Sequence, residues 1–286
     1  MNYAIYRIVF IFMAKKTYLL KRKSLGQHFL TAPGIAARIA EIGTAGAADV
    51  VVEVGPGEGI LTRELLTRAK RVIAIEKDDR LIPFLSEKFK NEIAQKKFSL
   101  VHGDVLKQHF VLPPNYCVVA NIPYYITGAL IRFFLEAPEP PKQMVLLVQR
   151  EVAERIVAKK TKPFDSAEGK ESLLSLSVKA YGTPAIAGVV KAGSFSPPPK
   201  VDSAILRISE ISRAHFAEVP TNTFFQVLKT GFAHKRKLLI GNLSAMANKS
   251  ALEKIFSEVT IPLKARAEDL PLEKWLKLAK MLAKIL

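Results

Sequence analysis

The 286-residue chain contains a single cysteine, Cys117, so it cannot form an internal disulfide or a metal site built on several thiolates. Such scarcity is typical of a protein from a reducing compartment, and we expect a cytoplasmic location without a bound metal ion. Cys117 lies within an apolar run, where a cysteine usually acts as a small buried hydrophobe rather than as a reactive thiol.

Acidic residues are also scarce, because 26 Asp and Glu face 43 Lys and Arg, which gives a formal net charge of +17. This excess favours a polyanionic partner, and charge alone does not separate a nucleic acid from an anionic membrane. A hydrophobic content of 49% supplies a buried core and excludes a chain that is disordered throughout.

The N-terminal apolar stretch, residues 8–14, is too short to span a bilayer and lacks a convincing signal-peptidase site. We interpret residues 1–20 as an extension and expect translation to begin at Met13, with residues 1–12 a start-site overcall or a dispensable segment. At the other end, residues 272–286 are amphipathic, and we expect a helix that faces the core rather than a membrane. The sequence therefore predicts no stable membrane association.

The hydrophobic pattern alternates between short apolar runs and helical spacing, which predicts an α/β fold with a parallel sheet and helices on both faces. A proline- and glycine-containing exposed loop is expected over 159–171, and a basic helical region from about residue 213. The predicted strands cover residues 49–54, 71–75, 98–101, 116–120, 142–148, 185–190 and 203–208, with helices over 60–66 and 150–158.

Polar residues stand where the first strands end, and ligands of such sheets bind at those ends. A G-x-G-x-G loop begins at Gly55, and Glu76 and Asp104 follow the next two strands. This set suits the ribose and adenine of either a nicotinamide dinucleotide or S-adenosylmethionine. Because Pro56 removes an N–H that would help to bind a pyrophosphate, the loop favours S-adenosylmethionine.

The fourth strand runs into Asn121-Ile122-Pro123-Tyr124. An exocyclic amine of adenine or cytosine is a poor nucleophile that needs hydrogen-bond acceptors rather than a strong base. The Asn121 side-chain oxygen and a backbone carbonyl of the turn can accept both amine hydrogens, while Tyr124 stacks on the base. By itself the Asn-Xaa-Pro sequence is equally a turn signal.

Further motifs lie at residues 21–30 (KRKSLGQHFL), 195–203 (FSPPPKVDS) and 231–237 (GFAHKRK). With these in order, the chain resembles the ribosomal RNA adenine dimethyltransferase family, most closely its bacterial small-subunit branch, from about residue 21 to the C-terminus. The resemblance implies a Rossmann-like class I S-adenosylmethionine-dependent methyltransferase domain over residues 21–210 and a small α-helical rRNA-binding domain over 211–286.

The resemblance also implies the activity, which is dimethylation of N6 on two adjacent adenosines near the 3′ end of small-subunit rRNA during ribosome biogenesis. Residue roles carry over from the matching motifs. The cofactor-binding residues would be His28 and Leu30 on the methionine side, Gly55 packed against the cofactor, Glu76 on the ribose, Asp104 on the adenine and Asn121 between cofactor and target amine. The catalytic set would be Asn121 with Tyr124 and Phe195, which would sandwich the target base.

The first thirty residues carry six basic and no acidic side chains, and His234-Lys235-Arg236-Lys237 forms a second basic cluster. Both clusters suit RNA phosphates, and we expect a monomer that acts on rRNA within a precursor ribosomal subunit. Two alternatives stay open: a large-subunit rRNA adenine N6-methyltransferase that confers antibiotic resistance, and a noncatalytic RNA-binding assembly factor. Residues 159–171 depart from the family pattern, which leaves the role of that loop undefined.

Overall fold

The computed structural model describes residues 28–45, 50–108, 110–158 and 170–285. The interpretation of residues 1–20, the start at Met13 and the N-terminal basic cluster lie outside these residues. Most of the predicted loop over 159–171 lies outside them as well.

The strands of the described chain agree with those predicted from the hydrophobic pattern to within about two residues, and two very short strands, the first and the eighth, were not predicted. The strands are β1 (Phe29–Leu30), β2 (Val50–Val54), β3 (Arg71–Glu76), β4 (Phe98–His102), β5 (Cys117–Asn121), β6 (Gln143–Gln149), β7 (Thr183–Val190), β8 (Phe195–Ser196) and β9 (Ser203–Ser209).

Seven of these strands form one sheet in the order β4-β3-β2-β5-β6-β9-β7. The first five are parallel, as expected, whereas β9 is antiparallel to β6 and β7 is antiparallel to β9. The parallel arrangement expected from the first four predicted strands is therefore confirmed, whereas the pattern carried no expectation for the directions of β7 and β9. A parallel return needs a crossover connection, usually a helix. The short link between β7 and β9 instead holds β8, so β9 returns antiparallel to β7.

Helices cover both faces of the sheet, as the pattern predicted. Alternate strand residues point to opposite faces, so Val51 packs in one hydrophobic cluster and Val52 in the other. The covering helices are α1 (Pro33–Thr44), α2 (Ile60–Arg68), α3 (Leu81–Lys88), α4 (Lys90–Ala94), α5 (Thr127–Leu135), α6 (Arg150–Val157) and α7 (Leu173–Lys179). Cys117 is buried within β5, and burial raises the pKa of its thiol. A raised pKa favours the protonated thiol, which is less reactive than the thiolate.

The C-terminal region is helical, with α8 (Thr221–Gly231), α9 (Leu239–Leu243), α10 (Lys249–Glu258) and α11 (Leu272–Leu282). These helices pack around the fully buried Trp275 in a third hydrophobic cluster. Leu176 of α7 and Ala180, the residue after this helix, join the cluster, while Val178 packs on the sheet. The proposed domain division after residue 210 remains a prediction.

The last helix, α11, buries Trp275, Leu278, Ala279 and Leu282. The interpretation of this segment as a core-facing helix is therefore confirmed. Among the described residues, no helix is long and apolar enough to cross a membrane.

Candidate active site

A cavity of about 310 Å³ opens at the carboxyl ends of β2, β3, β4 and β5 and is closed on one side by β1. Parallel strands present their carboxyl ends at one edge, so residues distant in sequence meet there. All six residues predicted to bind the cofactor line this cavity: His28, Leu30, Gly55, Glu76, Asp104 and Asn121.

The glycine loop between β2 and α2 forms the cavity floor. Gly55, Gly57 and Gly59 all have positive φ, at +70°, +58° and +76°. A Cβ on Gly57 would also lie 2.9 Å from the ring of Phe29. Only glycine satisfies both requirements at this position, because a side chain there would be strained and would push β1 away from the loop.

Glu76 supports the glycine loop from the end of β3. Its Oε2 accepts a hydrogen bond from the Gly57 N–H at 3.2 Å, and its Oε1 accepts one from the Asp78 N–H at 2.8 Å. Burial raises the pKa of Glu76, and these backbone donors oppose that rise. The carboxylate thus fixes the loop from inside the cavity, and its predicted contact with a ribose stays a prediction.

Asp104 lies just after the end of β4, the edge strand that pairs with β3. Its Oδ2 lies 3.0 Å from Nζ of Lys77, and its Oδ1 accepts the Leu106 N–H at 3.1 Å. Partial burial acts to raise the pKa of Asp104, but Lys77, the Leu106 N–H and Lys107 outweigh it, and the pKa lies below its ordinary value. Asp104 is therefore an ionised, acceptor-only group at the cavity wall.

Glu53, within β2, is a cavity residue that was not predicted from the sequence. It is 1% exposed, and neither carboxylate oxygen has a hydrogen-bond partner among the described residues. Burial raises its pKa from 4.5 to about 8; the nearby Thr62 hydroxyl, which does not meet hydrogen-bond geometry with the carboxylate, opposes this rise only in part, and Glu76 adds to it. A glutamate inside the apolar run of β2 was the available signal, since unpaired buried carboxylates are rare.

The short strands β1 and β8 pair antiparallel, with Phe29 opposite Ser196 and Leu30 opposite Phe195. The His28 Nδ1–H donates to the carbonyl oxygen of Pro197, 169 positions later, at 2.8 Å. The two motifs that carried the resemblance at residues 21–30 and 195–203 thus meet across one wall of the cavity.

Asn121 and Tyr124 lie beside this pairing. The Asn121 Nδ2 donates to the His28 carbonyl oxygen at 3.2 Å, which leaves Oδ1 as the acceptor end of the amide. The Tyr124 hydroxyl and the Ser203 hydroxyl are hydrogen-bonded at 2.7 Å, and the Tyr124 ring stacks on His28 with centroids 5.9 Å apart. These bonds fix both the amide and the phenol before any substrate enters.

Phe195 is not brought to the cavity wall. It is 4% exposed in β8 and packs in the hydrophobic cluster under β1, and neither it nor Tyr124 is among the residues that line the cavity. The ring found on Tyr124 is that of His28. A base sandwiched by Tyr124 and Phe195 therefore stays a prediction. Within the described ranges, no group of three or more His, Cys, Asp or Glu side chains is arranged to hold a metal ion.

A larger groove of about 1120 Å³ lies between α5 to α7 and α8. Arg155, Lys229 and Lys235 line it. Lys235 belongs to the predicted basic cluster, all four residues of which are exposed. The groove therefore offers several cations that are free to meet an anionic surface.

The family model described as ribosomal RNA adenine dimethylase matches residues 19–284. Among curated relatives, the ribosomal RNA small subunit methyltransferase A of Dehalococcoides mccartyi strain BAV1 is 43% identical over 268 residues, covering 91% of this chain and 88% of the relative. The protein of the same name from Enterococcus faecalis is 38% identical over 278 residues, covering 92% and 90%.

Two solved structures share the fold over most of the chain. A dimethyladenosine transferase from Plasmodium falciparum superposes with a TM-score of 0.73 at 27% identity, covering 88% of this chain and 96% of the other. The 23S rRNA methyltransferase ErmE superposes with a TM-score of 0.70 at 28% identity, covering 89% and 99%. The fold is the Rossmann-like fold of class I S-adenosylmethionine-dependent methyltransferases, and the chain belongs to the ribosomal RNA adenine dimethylase family.

Proposed function

We propose that this protein transfers methyl groups from S-adenosylmethionine to N6 of two adjacent adenosines near the 3′ end of small-subunit rRNA. The observation that carries the proposal is the anchored amide of Asn121, whose donor end is tied to the His28 carbonyl and whose acceptor end remains for an amine. The curated relatives named small subunit methyltransferase A, at 38% and 43% identity, support the choice of the small subunit.

The residues of the cavity fit S-adenosylmethionine. This cofactor supplies a methyl group on a positively charged sulfur, and it also carries an ammonium group. Glu53, Glu76 and Asp78 line the cavity while less than a tenth of each is exposed, and of these Asp78 pairs with Arg80. Within the part of the chain that the structure describes, Glu53 has no hydrogen-bond partner, so a cation in the cavity would satisfy a buried carboxylate that is otherwise costly. We assign Glu53 to the ammonium group, Glu76 to the ribose and Asp104 to the adenine.

The target amine would lie at the Asn121 end of the cavity. The Asn121 Oδ1 and the Ile122 carbonyl oxygen would accept its two hydrogens, which turns the nitrogen lone pair out of conjugation with the ring. Because the Asn121 amide is already fixed by His28, little ordering is required when the base arrives. The Tyr124 ring, fixed through its hydroxyl by Ser203, would hold the base plane.

The rest of the rRNA would contact the larger groove, called the basic groove from here on, and the exposed basic cluster at residues 234–237. Phosphate contacts by Arg155, Lys229 and Lys235 would position the target without reading its sequence. We propose that residues 21–210 carry the chemistry and residues 211–286 hold the rRNA. We further propose that the protein acts in the cytoplasm as a monomer on a precursor subunit, where an unstacked adenosine is accessible.

The test is transfer of labelled methyl from S-adenosylmethionine to undermethylated small ribosomal subunits and, separately, to protein-free large-subunit rRNA, followed by mapping of modified adenosines. Dimethyladenosine near the small-subunit 3′ end is expected. Label only in large-subunit rRNA would favour the resistance enzyme, and binding without label would favour a noncatalytic factor. The fold does not decide between the two enzymes, since one neighbour acts on 23S rRNA at nearly the same TM-score as the other.

Asn121→Ala separates catalysis from binding. It removes the acceptor for the amine and should lower methyl transfer by about 100-fold or more, the scale seen when one essential stabilising group is lost. Affinity for the rRNA should change little, because the basic groove is untouched. Unchanged methyl transfer in this variant would contradict the proposed role of the amide.

A further inference from the structure

Lys77 follows Glu76 at the end of β3 and has so far been described only as the ion-pair partner of Asp104. We propose that Lys77 is a positioning residue, which orients the Asp104 carboxylate toward the purine of the cofactor and so makes the site prefer a 6-amino purine to a 6-oxo purine. This inference rests on the proposed assignment of Asp104 to the cofactor adenine.

The strand register brings the two residues together. β3 and β4 are parallel with Glu76 opposite His102, so Lys77 and Asp104 both leave the sheet just beyond the last paired residues. Lys77 Nζ lies 3.0 Å from Asp104 Oδ2, and both residues line the cavity. The Lys77 side chain is 56% exposed and that of Asp104 is 20% exposed, so the ion pair lies at the cavity rim.

The second carboxylate oxygen is fixed independently. Asp104 Oδ1 accepts the Leu106 N–H at 3.1 Å, while Lys77 holds Oδ2. Two donors on the two oxygens define the plane of the carboxylate. Each oxygen keeps a second acceptor site, so the group can still accept an N–H from a ligand in the cavity. Without Lys77, the Leu106 N–H alone would leave the carboxylate free to rotate.

The charge state has a direct consequence for ligand choice. An ionised carboxylate only accepts hydrogen bonds, so it pairs with the amino group of a 6-amino purine and repels the carbonyl oxygen of a 6-oxo purine. A protonated carboxyl could donate to that carbonyl and would lose the discrimination. The charged or titratable groups facing the pair are Lys107 beside Asp104 and Tyr125 near Lys77.

The test compares binding of S-adenosylhomocysteine and its deaminated analogue S-inosylhomocysteine by calorimetry. Wild type should prefer the adenosyl compound, and Asp104→Asn should largely abolish this preference, because its amide can rotate to offer a donor. Lys77→Met should reduce the preference by about fivefold, the effect of losing one charge-assisted hydrogen bond near the surface. Lys77→Arg should restore it, since arginine can donate to the same oxygen.

Lys191→Met is the matched control. Lys191 pairs with Asp202 at 2.9 Å, and Asp202 also accepts a backbone N–H, from Ala192, so the arrangement is similar; neither Lys191 nor Asp202 lines the cavity. Its ligand preference should equal that of wild type.

The outcomes distinguish the assignment of Asp104 to the cofactor adenine from the proposed role of Lys77. If wild type binds neither ligand, the cavity is not the cofactor site, and this inference fails with it. If Asp104→Asn keeps the wild-type preference, the assignment of Asp104 is wrong and the inference falls. If Asp104→Asn loses the preference while Lys77→Met retains it in full, the cofactor site stands and the role of Lys77 alone is overturned.

Discussion

Replacement of Glu53 by glutamine tests the electrostatic design of the cavity. Burial raises the pKa of Glu53 from 4.5 to about 8, so the folded protein holds a proton there that the unfolded chain releases above pH 4.5. A folded pKa above the unfolded value means that stability is lost as the pH rises. At about 1.36 kcal/mol per pKa unit, the buried Glu53 lowers the free energy of unfolding by about 3 kcal/mol at pH 7. Above pH 9 the loss is about 5 kcal/mol, in both cases relative to the value below pH 4.5.

Glu53→Gln removes this pH-dependent cost. The difference in the free energy of unfolding between the variant and wild type should be constant below pH 4.5. Between pH 5 and pH 9 this difference should grow in favour of the variant. The amide is also buried without a partner, but that cost does not vary with pH, so the slope against pH is the diagnostic quantity. Urea unfolding followed by far-ultraviolet circular dichroism at several pH values measures it.

The same substitution should harm the cofactor site. A cation that pairs with Glu53 ionises it, so wild type should release close to one proton when S-adenosylmethionine binds near pH 7. The variant should release none and should bind the cofactor about 10-fold or more weakly. Calorimetry in buffers of different ionisation enthalpy gives both quantities. A gain in stability with a loss of binding is the usual compromise at a functional site.

Glu258→Gln is the control, because Glu258 is exposed on α10 and does not line the cavity. If Glu53→Gln and wild type have parallel unfolding profiles from pH 5 to pH 9, the carboxyl is not held neutral by burial. In that case Glu53 is not the residue that pairs with the cofactor ammonium group.

Two further variants test the glycine loop and the proposed site of the target base. Gly57→Ala places a Cβ 2.9 Å from Phe29 at a left-handed backbone position, and should cost about 1–3 kcal/mol of stability and most of the cofactor affinity. Gly128→Ala is its control, because nothing lies within 4 Å of the added Cβ, and the cofactor-binding isotherm should be unchanged. Tyr124→Phe keeps the ring but loses the hydrogen bond to Ser203, so the rate of methyl transfer should fall several-fold, which is far less than the fall in Tyr124→Ala. Equal losses of rate in the two variants, measured in a single-turnover assay, would count against stacking of the base on Tyr124.

The sequence by itself determined the α/β class, the cofactor class and the positions of most strands. Apolar runs such as residues 71–75 and 116–120 are local patterns, and a strand buried on both faces is continuously apolar whatever its partners. Because parallel strands end at a common edge, polar residues after successive runs were correctly expected to share one cavity, and Gly55, Glu76, Asp104 and Asn121 do.

The tertiary structure alone decided which groups face one another and in which state of charge. The pairing of β1 with β8 joins Leu30 to Phe195, and no local pattern in two-residue strands predicts it. The raised pKa of Glu53 depends on the complete loss of water around it, which only the packed fold supplies. The ion pair between Lys77 and Asp104 requires the register of β3 against β4. Periodicity is a property of neighbouring residues, whereas desolvation and register belong to the assembled sheet.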